Sequence, residues 1–161
     1  MAMTRPAILG RLGALFTALA ASVSPSPAAA TDPAWKLTED EWRKRLSPAV
    51  FEIMRLHGTE PAFSSPLDHE KRKGIYDCAA CALPLYSSKT KFESGTGWPS
   101  FYEPLHGAVS TSSDYSLLEP RTEVHCHRCG GHLGHVFNDG PPPTGLRYCM
   151  NGLALVFKPE A

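Results

Sequence analysis

Neither sign of charge is in excess: 16 lysines and arginines face 16 aspartates and glutamates. That balance excludes a nucleic-acid binder held mainly by counterion release, which needs a basic surplus. No apolar run is long enough to span a bilayer comfortably. The longest, residues 12–23, has twelve uncharged residues, whereas a membrane-spanning helix needs about 20. Apart from two Cys-x-x-Cys pairs there is no internal repeat. Nor is the chain poor in apolar residues, which are 42% against 20% charged, so intrinsic disorder is excluded. What is plentiful is punctuation. Thirteen glycines and 15 prolines in 161 residues disfavour a helical bundle and favour short strands joined by turns, in a chain long enough for one domain. Cysteines are few but patterned: five in all, four of them paired and one left over.

The start of the chain reads as an address. Arg5 and Arg11 flank or precede the apolar run, Pro25 and Pro27 break it, and Ala28-Ala29-Ala30 supplies a small-residue cleavage pattern. The expectation is a signal peptide over residues 1–30 and an exported domain over 31–161, periplasmic or secreted and without stable membrane insertion after cleavage. An uncleaved anchor is the competing reading. Adjacent arginines are lacking, so a twin-arginine signal is not supported. Losing Arg5 and Arg11 would leave acidic residues in slight excess and make nucleic acid a still poorer partner.

The domain opens with helix. Thr38 and Glu41 have the spacing of a capping box, with Asp40 a favourable first-turn carboxylate. Trp42 and Leu46 would share one helical face. Ser47-Pro48 reads as an N-cap followed by proline at the first helical position, and Gly58 as the residue that ends this second helix. Residues 59–68 are loop-like. Beyond Gly74 come short β-branched or apolar runs around Ile75-Tyr76, Ala108-Val109, Glu123-Val124-His125 and residues 153–157, each bounded by turn formers. The coarse reading is a small antiparallel β domain with a helical N-terminal flank.

Cys78-Ala79-Ala80-Cys81 and Cys126-His127-Arg128-Cys129 offer four thiolates from two tight turns, the donor set of a closed structural Zn²⁺ site. Their separation exceeds that of a minimal zinc ribbon, so one ion would clip two distant hairpins together. Disulfides, favoured by an oxidising compartment, and a thioredoxin-like redox pair compete with this reading. His125 and His127, flanking Cys126, read as alternate ligands or as solvated neighbours.

The fifth cysteine, Cys149, lies in Gly145-Leu146-Arg147-Tyr148-Cys149-Met150-Asn151-Gly152, which reads as a strand. Alternation puts Arg147, Cys149 and Asn151 on one face. A guanidinium beside a thiol stabilises its thiolate, the condition for a nucleophilic cysteine; a buried structural cysteine is the competing reading. Gly131-His132-Leu133-Gly134-His135 supplies two imidazoles able to donate a proton, or merely a surface turn. Gly97-Trp98-Pro99 places an indole on a fixed turn, where core packing is the alternative use.

Ser94-Gly95-Thr96-Gly97-Trp98-Pro99-Ser100-Phe101, the run from Cys129 to Phe137, and Arg147-Tyr148-Cys149-Met150-Asn151 occur in that order. Together with both Cys-x-x-Cys pairs, these segments resemble the B-type methionine sulfoxide reductases, and the resemblance extends from Thr38 to Lys158. It implies a mainly β fold, a β-tent of two antiparallel sheets clipped by one structural Zn²⁺ held by Cys78, Cys81, Cys126 and Cys129, remote from the active site. The implied reaction reduces the R epimer of methionine sulfoxide in peptides and proteins, as a repair of oxidative damage. Cys149 would be the nucleophile. His135, with Asn151 and His132, would hold and polarise the sulfoxide oxygen, and Arg147 would favour the thiolate. Trp98 and Phe137 would line the substrate site, and Asp139 would orient it from behind.

One position departs from the pattern. Many family members have a resolving cysteine where this chain has Thr96, and the knuckle thiols are engaged if zinc is bound. The expectation is a one-cysteine cycle in which an external thiol, a thioredoxin-like protein or a small molecule, reduces the Cys149 sulfenic acid. A non-catalytic zinc-stabilised binding module is the alternative, and it would need no reactive Cys149.

Overall fold

The computed structural model describes residues 33–160; the leader reading falls on residues outside that range. Two helices come first, α1 (Glu39–Arg45) and α2 (Pro48–Leu56). The Thr38 Oγ1 accepts from the Glu41 N–H at 3.3 Å, and the Glu41 carboxylate accepts from the Thr38 N–H at 2.7 Å, so the capping box is complete. Ser47 caps α2 by accepting from the Val50 N–H, with Pro48 at the first helical position. The left-handed residue that ends α2 is His57, with φ +56°, one position before the glycine expected there. The His57 side chain is bound to Glu123 at 2.6 Å, an attachment that offsets the cost of about 1 kcal/mol for a left-handed non-glycine residue.

Nine strands follow. They are β1 (Gly74–Cys78), β2 (Pro84–Ser87), β3 (Lys91–Phe92), β4 (Ser100–Phe101), β5 (Val109–Asp114), β6 (Arg121–Cys126), β7 (His132–Phe137), β8 (Arg147–Met150) and β9 (Leu155–Pro159). They build two antiparallel sheets, ordered β2-β1-β9 and β3-β4-β8-β7-β6-β5. The run expected at 153–157 begins as a 3₁₀ turn (Gly152–Ala154) and becomes strand only at Leu155.

The sheets meet at an aromatic seam. Phe101 on β4 stacks on Tyr86 of β2 with centroids 4.4 Å apart and meets Tyr76 of β1 edge-on at 4.9 Å, contacts worth about 0.5–1.5 kcal/mol each beyond simple burial. The Tyr86 hydroxyl, fully buried, donates to the Met150 sulfur at 3.1 Å. Leu85, Val124, Leu133 and Met150 complete the seam. The helices cover the other flank through buried Trp42, Phe51, Ile53 and Met54.

Two register facts position the site. Cys149 on β8 lies opposite Ser100 of β4 on one side and His135 of β7 on the other. Glu123 of β6 lies opposite His135 in turn. A single cross-strand row therefore reads Glu123, His135, Cys149, Ser100. A bulge at Val124/His125 shifts the register at the start of β7 and brings His132 close to His135, their rings 5.5 Å apart.

Candidate active site and four-cysteine cluster

β7 and β8 place two side chains each on the face of that row. Phe137 lies opposite Arg147 just as His135 lies opposite Cys149, and the Arg147 guanidinium sits 4.5 Å over the Phe137 ring. The two strands approach closely because residue 134 is glycine: a Cβ there would run into the Cys149 carbonyl oxygen. Cys149, His135, Phe137, Trp98 and Asn151 line one cavity of about 120 Å³, together with Thr59, Arg121 and Gly134. A larger groove of about 880 Å³, under α2 and β9, is lined by none of the catalytic, substrate or metal-ligand candidates read from the sequence.

Each lining group is held from behind. The Trp98 indole N–H donates to the Glu60 carbonyl at 3.0 Å. Asn151 is buried; its Oδ1 accepts from the Glu60 N–H at 3.0 Å and its Nδ2 donates to the Leu133 carbonyl at 3.2 Å. The amide oxygen and one of the two Nδ2–H groups are thus engaged by backbone. The Glu60 carboxylate caps the 3₁₀ turn at Gly152–Ala154, accepting from the backbone N–H groups of Gly152 and Leu153. His135 Nε2 is paired with Asp114 Oδ2 at 2.7 Å, and Arg121 pairs with the same oxygen at 2.6 Å. The Asp114 carboxyl is held well below the usual range, first by Ser116 and then by His135 and Arg121. Asp139 grips Arg147 with two contacts of 2.9 Å. His132 does not line the cavity. It is buried beside it, with Nδ1 2.5 Å from Glu123, and burial lowers its pKa and favours the neutral ring.

The Cys149 sulfur is half-buried, 3.8 Å from the Thr96 hydroxyl. Burial pushes its pKa up, and Thr96, Arg147 and Ser100 together pull it only part of the way back. Arg147 acts in the direction expected from the sequence, but burial outweighs it, so the resting group is a thiol.

Sequence reasoning missed Glu60, Asp114, Arg121 and Glu123. Glu123 carried a signal, a carboxylate two residues before a histidine in an otherwise β-branched strand; the others carried none. Three imidazoles converge on Glu123: His57, His132 and, at 3.0 Å, His125. His125 is therefore not a merely solvated neighbour of Cys126, whereas His127 is exposed and meets Ser110. Burial pushes the Glu123 carboxyl up, but the hydrogen bonds from His125 and His57 outweigh it and hold the pKa at about 2. A depressed carboxyl pKa stabilises the fold fully above about 4.5, its unfolded value, and that stability is lost as pH falls towards 2. Wild type is expected to lose stability over that window, on the scale of about 1–3 kcal/mol that one paired carboxylate contributes. Glu123→Gln is expected to flatten that part of the profile when denaturant midpoints are compared from pH 6 to pH 3.

The Cys-x-x-Cys pairs form the β1–β2 and β6–β7 turns, one in each sheet. Each knuckle closes with a returning amide, Ala82 N–H to the Cys78 carbonyl at 2.8 Å and Gly130 N–H to the Cys126 carbonyl at 2.9 Å. The four buried sulfurs all lie within 4.8 Å of one another, with Cys78 to Cys129 at 3.7 Å and Cys81 to Cys126 at 3.5 Å. Disulfides would require about 2.05 Å. A tetrahedron of thiolates about 2.3 Å from a metal has edges of about 3.8 Å, so the set fits one ion. None of the four lines the Cys149 cavity.

The SelR domain family model matches residues 46–159. A peptide methionine sulfoxide reductase MsrB of Agrobacterium fabrum is 52% identical over 130 residues, covering 80% of this chain and 96% of its own. Proteins of the same name from Leptospira interrogans (53%) and Methanosarcina barkeri (54%) match over 124 residues, 76% of this chain and 95% and 87% of theirs. The matched span takes in both sheets, both knuckles and every residue of the Cys149 cavity, and the chain belongs to the SelR-domain family.

Proposed function

We propose that the protein reduces methionine sulfoxide in peptides and proteins, acting on the R epimer with Cys149 as nucleophile. The observation that carries this reading is the β7–β8 register, which sets Cys149 against His135 in a cavity walled by Trp98 and Phe137. The names of its relatives support the reaction, and the non-catalytic module is not favoured.

Sulfoxide sulfur becomes electrophilic when its oxygen is protonated or strongly hydrogen-bonded. His135, held by Asp114, donates towards that oxygen, with His132 and Asn151 fixing the surrounding backbone and ring positions; such general-acid help is worth about 10²–10⁴-fold. The Cys149 sulfur attacks the sulfoxide sulfur. The thiol proton passes to the oxygen. As the new S–S bond and the S–O bond of this adduct break, the hydroxyl transfers to the Cys149 sulfur: methionine leaves reduced by two electrons and Cys149 becomes a sulfenic acid, oxidised by two. Arg147, oriented by Asp139, favours the thiolate during attack. Trp98 and Phe137 receive the methyl end of the substrate. One external thiol then forms a mixed disulfide with Cys149 and releases water, and a second restores the Cys149 thiol. Cys78, Cys81, Cys126 and Cys129 would hold zinc, which would supply structural cross-linking away from the Cys149 cavity. The leader pattern supports export of the domain from residue 31 onwards, to the periplasm or the exterior. No described helix is long and apolar enough to cross a membrane.

The test is incubation with each epimer of a blocked methionine sulfoxide and dithiothreitol. Consumption of the R epimer alone is the expected result; no turnover of either, with metal bound and fold intact, overturns the reading. The one-cysteine cycle has its own prediction. With the Thr96 hydroxyl 3.8 Å from the Cys149 sulfur, Thr96→Cys is expected to trap an internal disulfide between positions 96 and 149 after one turnover without reductant. Wild type is expected to yield a sulfenic acid instead, distinguished by peptide mapping after dimedone labelling.

A further inference from the structure

We propose that His57, Glu123 and His132 form a second metal site, taking a divalent transition-metal cation such as Zn²⁺, separate from the four-cysteine cluster. His57 Nδ1 and His132 Nδ1 both face the same carboxylate oxygen, Glu123 Oε1, at 2.6 and 2.5 Å. These three atoms lie within 4.8 Å of one another. Two imidazoles and one carboxylate with a further position open is the donor set of open zinc sites. Tetrahedral ligands about 2.1 Å from zinc are about 3.4 Å apart, so each present contact must open by less than about 1 Å as a cation replaces a bridging proton.

Three further features favour an ion here over a hydrogen-bonded cluster alone. The other carboxylate oxygen, Oε2, is held by His125 Nε2 at 3.0 Å, an outer contact of the kind that aims a ligating carboxylate. His132 Nε2 is buried with no hydrogen-bond partner among the described residues, so the ring can carry its proton there when Nδ1 takes a cation. The His57 side chain is 63% exposed while those of Glu123 and His132 are 10% and 2% exposed, which gives the ion an entry from solvent and leaves its open position on that side. The ligands also come from separate elements, the end of α2 and the strands β6 and β7, so the site exists only in the folded chain.

The test counts metal and needs no turnover, so it stands or falls separately from the proposed reductase activity. Zinc-loaded protein in a Cys149→Ser background, which removes the thiol outside the cluster, is titrated with Zn²⁺ by calorimetry and by dialysis with elemental analysis. The expected result is two zinc ions per chain, with the second weakened at least about 100-fold in His57→Ala, since even outer-contact losses cost 10–100-fold. His57→Ala is expected to keep the first ion and to melt only a few degrees below wild type, because it loses the Glu123 attachment at a left-handed residue. A single equivalent at up to about 100 µM free Zn²⁺ would overturn the proposal, as would a second equivalent that binds equally well in His57→Ala.

Discussion

Cys149→Ser is expected to lower kcat/KM for R methionine sulfoxide by about 10⁴-fold or more, the scale on which deleting a covalent nucleophile acts. The reason lies in what sulfur alone can do at this position. It must accept the oxygen as a sulfenic acid and then surrender it to an external thiol, and a serine hydroxyl can do neither. The structure gives the sulfur no part in packing that a hydroxyl could not take over. It is half-buried, the Thr96 hydroxyl approaches it only to 3.8 Å, and the backbone pairing with Ser100 and His135 is independent of the side chain. The melting temperature of Cys149→Ser should therefore stay within a few degrees of wild type, which separates loss of chemistry from loss of fold. Chiral chromatography of the residual sulfoxide reads the first quantity and calorimetry the second. Retained turnover would move the nucleophile to the cysteine cluster. The raised pKa of the resting thiol adds a detail: alkylation by iodoacetamide at pH 7 should be slow without substrate, because burial outweighs Arg147 in this cavity.

The parts of this architecture that depend on neighbours in sequence are legible there. Thr38 with Glu41 and Ser47 with Pro48 cap the helices as their spacing predicts, the two knuckles sit on tight turns, and alternation puts Arg147 and Cys149 on one face. The parts that depend on strand register are not. Nothing local says that Glu123 lies opposite His135, or that Asp114 reaches His135 from β5, because those pairings are fixed only when the six-stranded sheet forms. Glu60 is the sharpest case. It sits in a segment that reads only as loop, yet its carboxylate, amide and carbonyl bind the Gly152 turn, Asn151 and Trp98 together. The thiol of Cys149 shows the same limit in electrostatics. A nearby cation is visible in sequence; the burial that outweighs it depends on packing across β4, β7 and β8.

Removing the metal is expected to have the largest effect on stability. Structural zinc in a four-thiolate site contributes about 10–16 kcal/mol of binding free energy, whereas a domain of this size is stable by about 5–15 kcal/mol in total. The structure shows why that energy is not local. One knuckle joins β1 to β2 in the three-stranded sheet, and the other joins β6 to β7 in the six-stranded sheet. An ion held by all four sulfurs would therefore tie together sheets otherwise held by the Tyr76, Tyr86 and Phe101 seam. Its release would free the end of β6 and the start of β7, the strands that carry Glu123, His132 and His135, so activity is expected to disappear with the fold. A strong chelator, or Cys126→Ser, should lower the melting temperature by more than about 20 °C or leave no cooperative transition, since a kilocalorie is worth a few degrees at this size. Calorimetry with and without chelator measures it, and readdition of Zn²⁺ should restore the transition for wild type but not for Cys126→Ser. Two disulfides predict the opposite sensitivity, indifference to the chelator and collapse on reduction. Sulfurs 3.5 and 3.7 Å apart across the knuckles sit where thiolates share an ion, so chelation and not reduction is the treatment that should unfold the protein.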